Sequence, residues 1–141
     1  MKRIYIGTVI LAFIICLSCD EKFIIVKCPD CIETEPVETK LEVKLDDSFH
    51  GVNLTSEVRI YEGNIEDSVL LGTYTINYSK FQPDVKVNNK YTLSATYTIN
   101  NKTYIAIDSA TPRVRYEAHQ CDNPCYYVYD KTINLKLKYT K

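Results

Sequence analysis

Between Lys90 and Asp108 the chain alternates with a period of two. Tyr91, Leu93, Ala95, Tyr97 and Ile99 interleave with Thr92, Ser94, Thr96 and Thr98, and apolar residues resume at Tyr104, Ile105, Ala106 and Ile107. Only an extended strand sends successive side chains to opposite faces, and β-branched and aromatic residues suit that pleat. Asparagine tolerates positive φ, so Asn100-Asn101 between the two runs predicts a two-residue type I′ hairpin. That turn sets a register with Tyr97 opposite Tyr104, Ala95 opposite Ala106 and Thr98 opposite Thr103. The other face then carries Ile105 and Ile107 opposite Thr96 and Ser94, which predicts that both faces are partly covered.

The rest of residues 38–141 repeats the pattern more briefly. Leu41, Val43 and Leu45 alternate with Lys40, Glu42, Lys44 and Asp46, which predicts a half-buried strand. Asp47 to Thr55 reads as a loop. A second strand is expected near Glu57–Glu62, a turn at Gly63-Asn64, and a third strand over Val69–Ile76 with Gly72 marking a bulge. Asn77 to Asp84 contains Pro83 and reads as irregular, with a short strand at Val85–Val87. Residues 109–130 are less regular: Val114-Arg115-Tyr116 resumes a strand, and His119 to Cys125 reads as a loop. Ile133, Leu135, Leu137 and Tyr139 alternate with Asn134, Lys136 and Lys138 in a final strand. No helical stripe of useful length occurs, and tyrosine is abundant, with twelve residues against no tryptophan. About seven short strands with turn signals every 8–12 residues predict an all-β fold, an antiparallel β-sandwich. The strand pattern is similar to small Ig-like or transthyretin-like modules, such as carboxypeptidase regulatory-like domains. That resemblance covers residues 38–141, rests on pattern without a signature residue, and implies fold rather than function.

The N-terminus has a different grammar. Lys2 and Arg3 precede an almost unbroken apolar run from Ile4 to Leu17, and the charged Asp20-Glu21-Lys22 follows directly after Cys19. This is the layout of a secretory signal, and the run is shorter than the ~20 apolar residues that span a bilayer. Leu17-Ser18-Cys19 resembles a bacterial lipobox, departing from it at Cys16, where Leu is usual; looser lipoboxes of the Bacteroidetes type accept this. The resemblance implies cleavage before Cys19 and lipidation of its sulfur. Acyl chains such as palmitate hold by burial, at about 0.8 kcal/mol per CH₂. Asp20-Glu21 is similar to the acidic export tags of surface lipoproteins in that phylum, and equally reads as a solvated linker. The chain therefore divides into a lipoprotein signal peptide (1–18), a lipidated tether with a cysteine pair (19–37) and a β-sandwich domain (38–141). The implied address is the cell envelope, as an outer-membrane lipoprotein. Loss of Lys2 and Arg3 with the signal moves the net charge from −1 to −3. The signs are interspersed, and no basic stripe points to nucleic acid.

Four cysteines follow the anchor: Cys28, Cys31, Cys121 and Cys125. An even count in an exported chain reads as disulfides. The Cys-x₂-Cys and Cys-x₃-Cys spacing also fits a tetrahedral zinc site, with His119 as a substitute ligand. Cys28-Pro29-Asp30-Cys31 alternatively reads as a redox pair, since that spacing lowers a thiol pKa, although no βαβ pattern frames it. One pair precedes the first strand and the other precedes the last. Chain ends of a domain are often neighbours, which predicts that all four sulfurs cluster at one end. Bonds between the pairs would close loops of ~90 residues and stabilise by about 4–5 kcal/mol in the chain-entropy model. Geometry decides, because Cα atoms more than about 7 Å apart cannot be bridged.

Catalytic constellations are lacking in the sequence. His50 and His119 are the two histidines, there are four glycines, and no GxSxG, HExxH or phosphate-cradling loop occurs. Asp46-Asp47 and Glu66-Asp67 lack calcium-loop spacing and read as solvated loops. Tyr126, Tyr127 and Tyr129 read either as a stacking surface for sugar or protein or as core. Asp67-Ser68-Val69 and Asp108-Ser109-Ala110 resemble the O-glycosylation sequon of Bacteroidetes, which implies glycans on Ser68 and Ser109. Three N-linked patterns, at Asn53, Asn77 and Asn101, carry no meaning in a bacterial lipoprotein. The resulting expectation is a non-enzymatic, membrane-anchored module with no cofactor, binding or supporting a surface protein or glycan. The rival expectations are a thiol-disulfide protein using Cys28 and Cys31, and a zinc-stabilised accessory subunit of a surface complex.

Overall fold

The computed structural model describes residues 25–49, 51–67 and 69–138. The expected signal peptide (1–18), Cys19, Asp20-Glu21, His50, Ser68 and Tyr139 lie outside the described residues. Among the described residues the regular structure is all-β apart from 3-10 turns at Cys28–Asp30 and Ile65–Asp67. In chain order the strands are β1 (Glu38–Lys40), β2 (Glu42–Lys44), β3 (Ser48–Phe49), β4 (Val52–Asn53), β5 (Ser56–Glu62), β6 (Val69–Ile76) and β7 (Lys80–Phe81). They continue as β8 (Asp84–Lys86), β9 (Tyr91–Ile99), β10 (Lys102–Ala110), β11 (Arg113–Glu117), β12 (Cys125–Tyr129) and β13 (Thr132–Asn134).

The largest sheet is antiparallel, in the order β10-β9-β5-β6. Its hairpin has the predicted register, Tyr97 to Tyr104, Ala95 to Ala106 and Thr98 to Thr103. Asn100 and Asn101 hold φ of 51° and 61°, the two positive values that a type I′ turn requires. The two faces differ from expectation. Thr92 and Ser94 are buried, but Ile105 and Ile107 are 62% and 57% exposed, so this face of the β10 edge is open. The bulge in β6 falls at Leu71, beside Gly72 rather than on it, because Ile60 pairs with Gly72 and Tyr61 already pairs with Leu70. A Cβ on Gly72 would lie 3.0 Å from the Tyr74 ring, so a larger residue there requires that ring to shift by a few tenths of an ångström.

The second layer is broken into short ladders, which is why, among the described residues, thirteen segments replace about seven strands. β1–β8 and β2–β7 share one antiparallel register, with Thr39 opposite Val85 and Val43 opposite Phe81. The interruption lies at Pro83, which has no N–H to donate. Its carbonyl still accepts from Leu41 N at 3.0 Å. β13 then pairs with β2 in parallel, Ile133 opposite Val43. An entirely antiparallel arrangement is thus corrected: the first and last parts of the domain run side by side in one direction. The expected loop 47–55 contains the small hairpin β3–β4. The less regular stretch 109–130 holds the tail of β10, then β11 and β12 paired antiparallel. The final alternation leaves Ile133 and Leu135 buried, although the ladder itself ends at Asn134.

One core joins the two layers. Val58, Ile60, Leu93, Ala95 and Tyr97 from the large sheet cluster with Leu41, Val43, Leu45, Ile133 and Leu135 from the broken layer. Each fully buried Leu or Ile contributes about 1.5–3 kcal/mol of transfer free energy. Tyr97 crosses between the layers: its Oη donates to Leu135 O at 2.9 Å and accepts from Asp46 N at 3.3 Å.

Candidate functional site

Parallel pairing of β13 with β2 decides where the cysteines go. It places the segment before β1 next to the segment before β13, and a further bridge pairs Ile32 with Tyr126. Ile32 N donates to Tyr126 O at 2.9 Å, and Tyr126 N returns a bond to Ile32 O at 2.8 Å. Cys28 is bonded to Cys121 and Cys31 to Cys125, with Cα separations of 5.6 and 5.3 Å. Both lie inside the range that a disulfide spans. All four sulfurs sit together, as expected, and the Sγ atoms of Cys31 and Cys121, from different bridges, are 3.5 Å apart. Cys28 and Cys31 are each spent on a different distant partner, so they do not form a bond with each other. That arrangement differs from the redox pair expected of a Cys-x-x-Cys motif. The sulfurs of Cys31, Cys121 and Cys125 lie within 4.8 Å of one another. In the disulfide state they are not the thiolates that zinc needs, and exposed His119 is not part of the group.

The loop that carries Cys121 is held from below. Glu117, at the end of β11, accepts from His119 N at 2.8 Å and Gln120 N at 3.1 Å. The His119 bond, followed by the Gln120 bond and the His119 charge, holds the Glu117 carboxyl below its ordinary value, against burial. Gln120 in turn accepts from Val26 N at 3.0 Å, which ties the segment before Cys28 to the loop. Neither Glu117 nor Gln120 carries a motif, so nothing in the sequence marks them. Ile32 sits one residue after a cysteine, and its pairing with β12 is likewise unmarked.

The tyrosine cluster splits by face. Tyr127 is buried and its Oη has no hydrogen-bond partner among the described residues. Tyr126 instead packs on the exposed Tyr116, with ring centroids 5.1 Å apart. Tyr116 was legible only as a strand residue, and its aromatic partner comes from the β11–β12 ladder. A groove of about 450 Å³ runs beside the staple, lined by Ile25, Ile32, Glu42, Tyr127, Tyr129 and Lys131. Ser109 is exposed on β10, with its N–H bound to Asp108 Oδ1 at 2.9 Å. Asp46 accepts from Leu137 N at 2.7 Å, and Asp67 accepts from Asn64 N at 2.8 Å, so both loop acids have structural partners. A second groove, of about 430 Å³, lies between the β10 edge and residues 134–138. Compared with known proteins, the chain matches no family model, no curated protein and no solved structure.

Proposed function

We propose that the protein is a lipid-anchored envelope protein that acts as a non-enzymatic binding or structural module for a surface protein or glycan. The observation that carries this reading is the double staple at the tether. Only residues 20–27 separate the lipobox cysteine, Cys19, from Cys28. Eight residues reach at most about 30 Å, so the domain would stand close to the membrane. Any pull on the anchor would pass into a cross-linked fold. Exposed Tyr116, packed against half-buried Tyr126, offers an aromatic surface of the kind that packs on sugar rings or protein side chains. We read the two layers as a variant of the Ig-like or transthyretin-like sandwich, supported by the shared core and by the side-by-side first and last strands. Ser109, exposed on β10, and Ser68 are the proposed glycan acceptors.

Three measurements test the reading. Cys19→Ala is expected to leave an unprocessed precursor with no incorporation of labelled fatty acid; labelling that survives would remove the anchor. Cross-linking on intact membranes, followed by mass spectrometry, is expected to capture a surface protein or glycan. Turnover in an insulin-reduction assay, abolished by Cys28→Ser, would replace the binding role with thiol-disulfide exchange.

A further inference from the structure

β10 is an edge strand of nine residues without a proline or a bulge. Long apolar edges are normally blunted, because their free N–H and C=O groups template another strand. The direction of those groups follows from the hairpin. In a two-residue turn the flanking pair, Ile99 and Lys102, exchanges its hydrogen bonds, and bonding alternates along an antiparallel pair. Even-numbered residues of β10 therefore bond to β9, and Thr103, Ile105, Ile107 and Ser109 turn their backbone groups outward. Ser109 N fits this pattern, being taken by the Asp108 carboxylate. Thr103, Ile105 and Ile107 have no outward backbone bond among the described residues.

The groove along this edge has a chemical bias. Across from Tyr104 to Asp108 it is walled by Asn134, Lys136, Leu137 and Lys138. Among the described lining residues the one carboxylate, Asp108, is already engaged by Ser109 N and by Asn134 N at 2.8 Å. Lysines at 136 and 138 thus leave the groove with net positive charge, while Ile105 and Ile107 line the outer face beside it.

We infer that this edge takes up an extended, acidic polypeptide segment as a fifth strand of the large sheet. Strand side chains alternate between faces. One set of the guest's side chains would be apolar and lie beside Ile105 and Ile107. The other set would be carboxylates over the groove, facing Lys136 and Lys138. Main-chain bonds give such strand addition its affinity and the alternate side chains give it specificity. The inference rests on the reading that the partner is a surface protein, and it names the feature of that protein which is bound.

The probes are two capped heptapeptides, one alternating Glu with Val and one alternating Lys with Val, added to the soluble domain. The acidic peptide is expected to bind and to slow amide exchange at Thr103, Ile105 and Ile107; the lysine peptide is not. Lys136→Glu with Lys138→Glu should weaken binding at least about tenfold, as should raising salt, because the contact is between exposed charges. Ile105→Pro removes an outward N–H that the fold does not use, and edge strands accept proline there. It should abolish binding while far-ultraviolet circular dichroism is unchanged. Should Ile105→Pro perturb the fold, the lysine variants decide alone. Equal binding of both peptides, or binding indifferent to Lys136 and Lys138, overturns the inference. Protection of residues 103–107 that grows with protein concentration and no peptide overturns it too, by making a second copy the occupant. If the acidic peptide fails while membrane cross-linking still captures a protein, the binding role stands and only this edge is wrong.

Discussion

Tyr97 and Tyr127 are both buried, yet their hydroxyls live in opposite circumstances. Tyr97 Oη serves Leu135 O and Asp46 N, so Tyr97→Phe strands a carbonyl and an amide in the core. The expected loss is about 1–3 kcal/mol, read from urea unfolding. Tyr127 Oη has no partner among the described residues, so Tyr127→Phe should leave stability unchanged or raise it by up to about 1 kcal/mol. A loss of 2 kcal/mol or more, by about the same scale, would show that the hydroxyl is satisfied. Burial pushes the Tyr97 hydroxyl up to about 12 from its ordinary value near 10, with the nearby Asp46 charge adding and the Asp46 N–H opposing. A folded-state pKa raised above the unfolded one gives stability that is whole below pH 10 and is lost as pH rises from about 10 to 12. Tyr91 shifts in the same direction, chiefly through burial. Wild type should therefore lose stability across that window, and Tyr97→Phe should flatten the slope without removing it.

At the level of elements, the loop between β11 and β12 depends on Glu117. Its pKa is depressed, so its contribution is present above its ordinary value near 4.5 and is lost as pH falls through the folded-state pKa. Glu117→Gln keeps the shape but weakens charge-assisted bonds to His119 and Gln120. Amide exchange at those two residues should accelerate in the variant at pH 6, and wild type should approach it in acid. Equal protection in both proteins at pH 6 would sink the argument. The turn and register of the β9–β10 hairpin were legible, because alternation and two asparagines determine them locally; which of its faces is covered was not. The broken layer was not: Pro83 was visible, but whether its ladder would resume on either side depends on β1 and β2, some forty residues away in sequence.

Across the whole molecule the two bridges act on almost the same loop, spanning 93 and 94 residues. Once one is closed, the other closes only a small ring. Removing either pair alone, as Cys28→Ser with Cys121→Ser, should cost about 2.5 kcal/mol in the chain-entropy model, and removing both about 7 kcal/mol. The losses are non-additive because each bridge is worth more when the other is absent. Thermal unfolding of the three proteins checks this, and an equal large loss for each single pair would contradict it. Reduced wild type should behave as the four-serine protein does. The exposed pair Lys40–Asp84 should contribute no more than about 1 kcal/mol beside this.

The all-β character, the hairpin and its register, the buried faces of β2 and β9, and two cysteine pairs flanking the strand-rich region were all readable from the residues alone. These follow from period-two patterning and turn chemistry, which act over a few residues. Which cysteine meets which emerged with the packed fold, because that choice hangs on β13 lying parallel to β2 and on Ile32 pairing with Tyr126. The packed fold also decided that Tyr127 is buried while Tyr126 is half-buried against Tyr116, and that the Ile105–Ile107 face stays open. Alternation says that two faces exist; it does not say which of them another layer will cover.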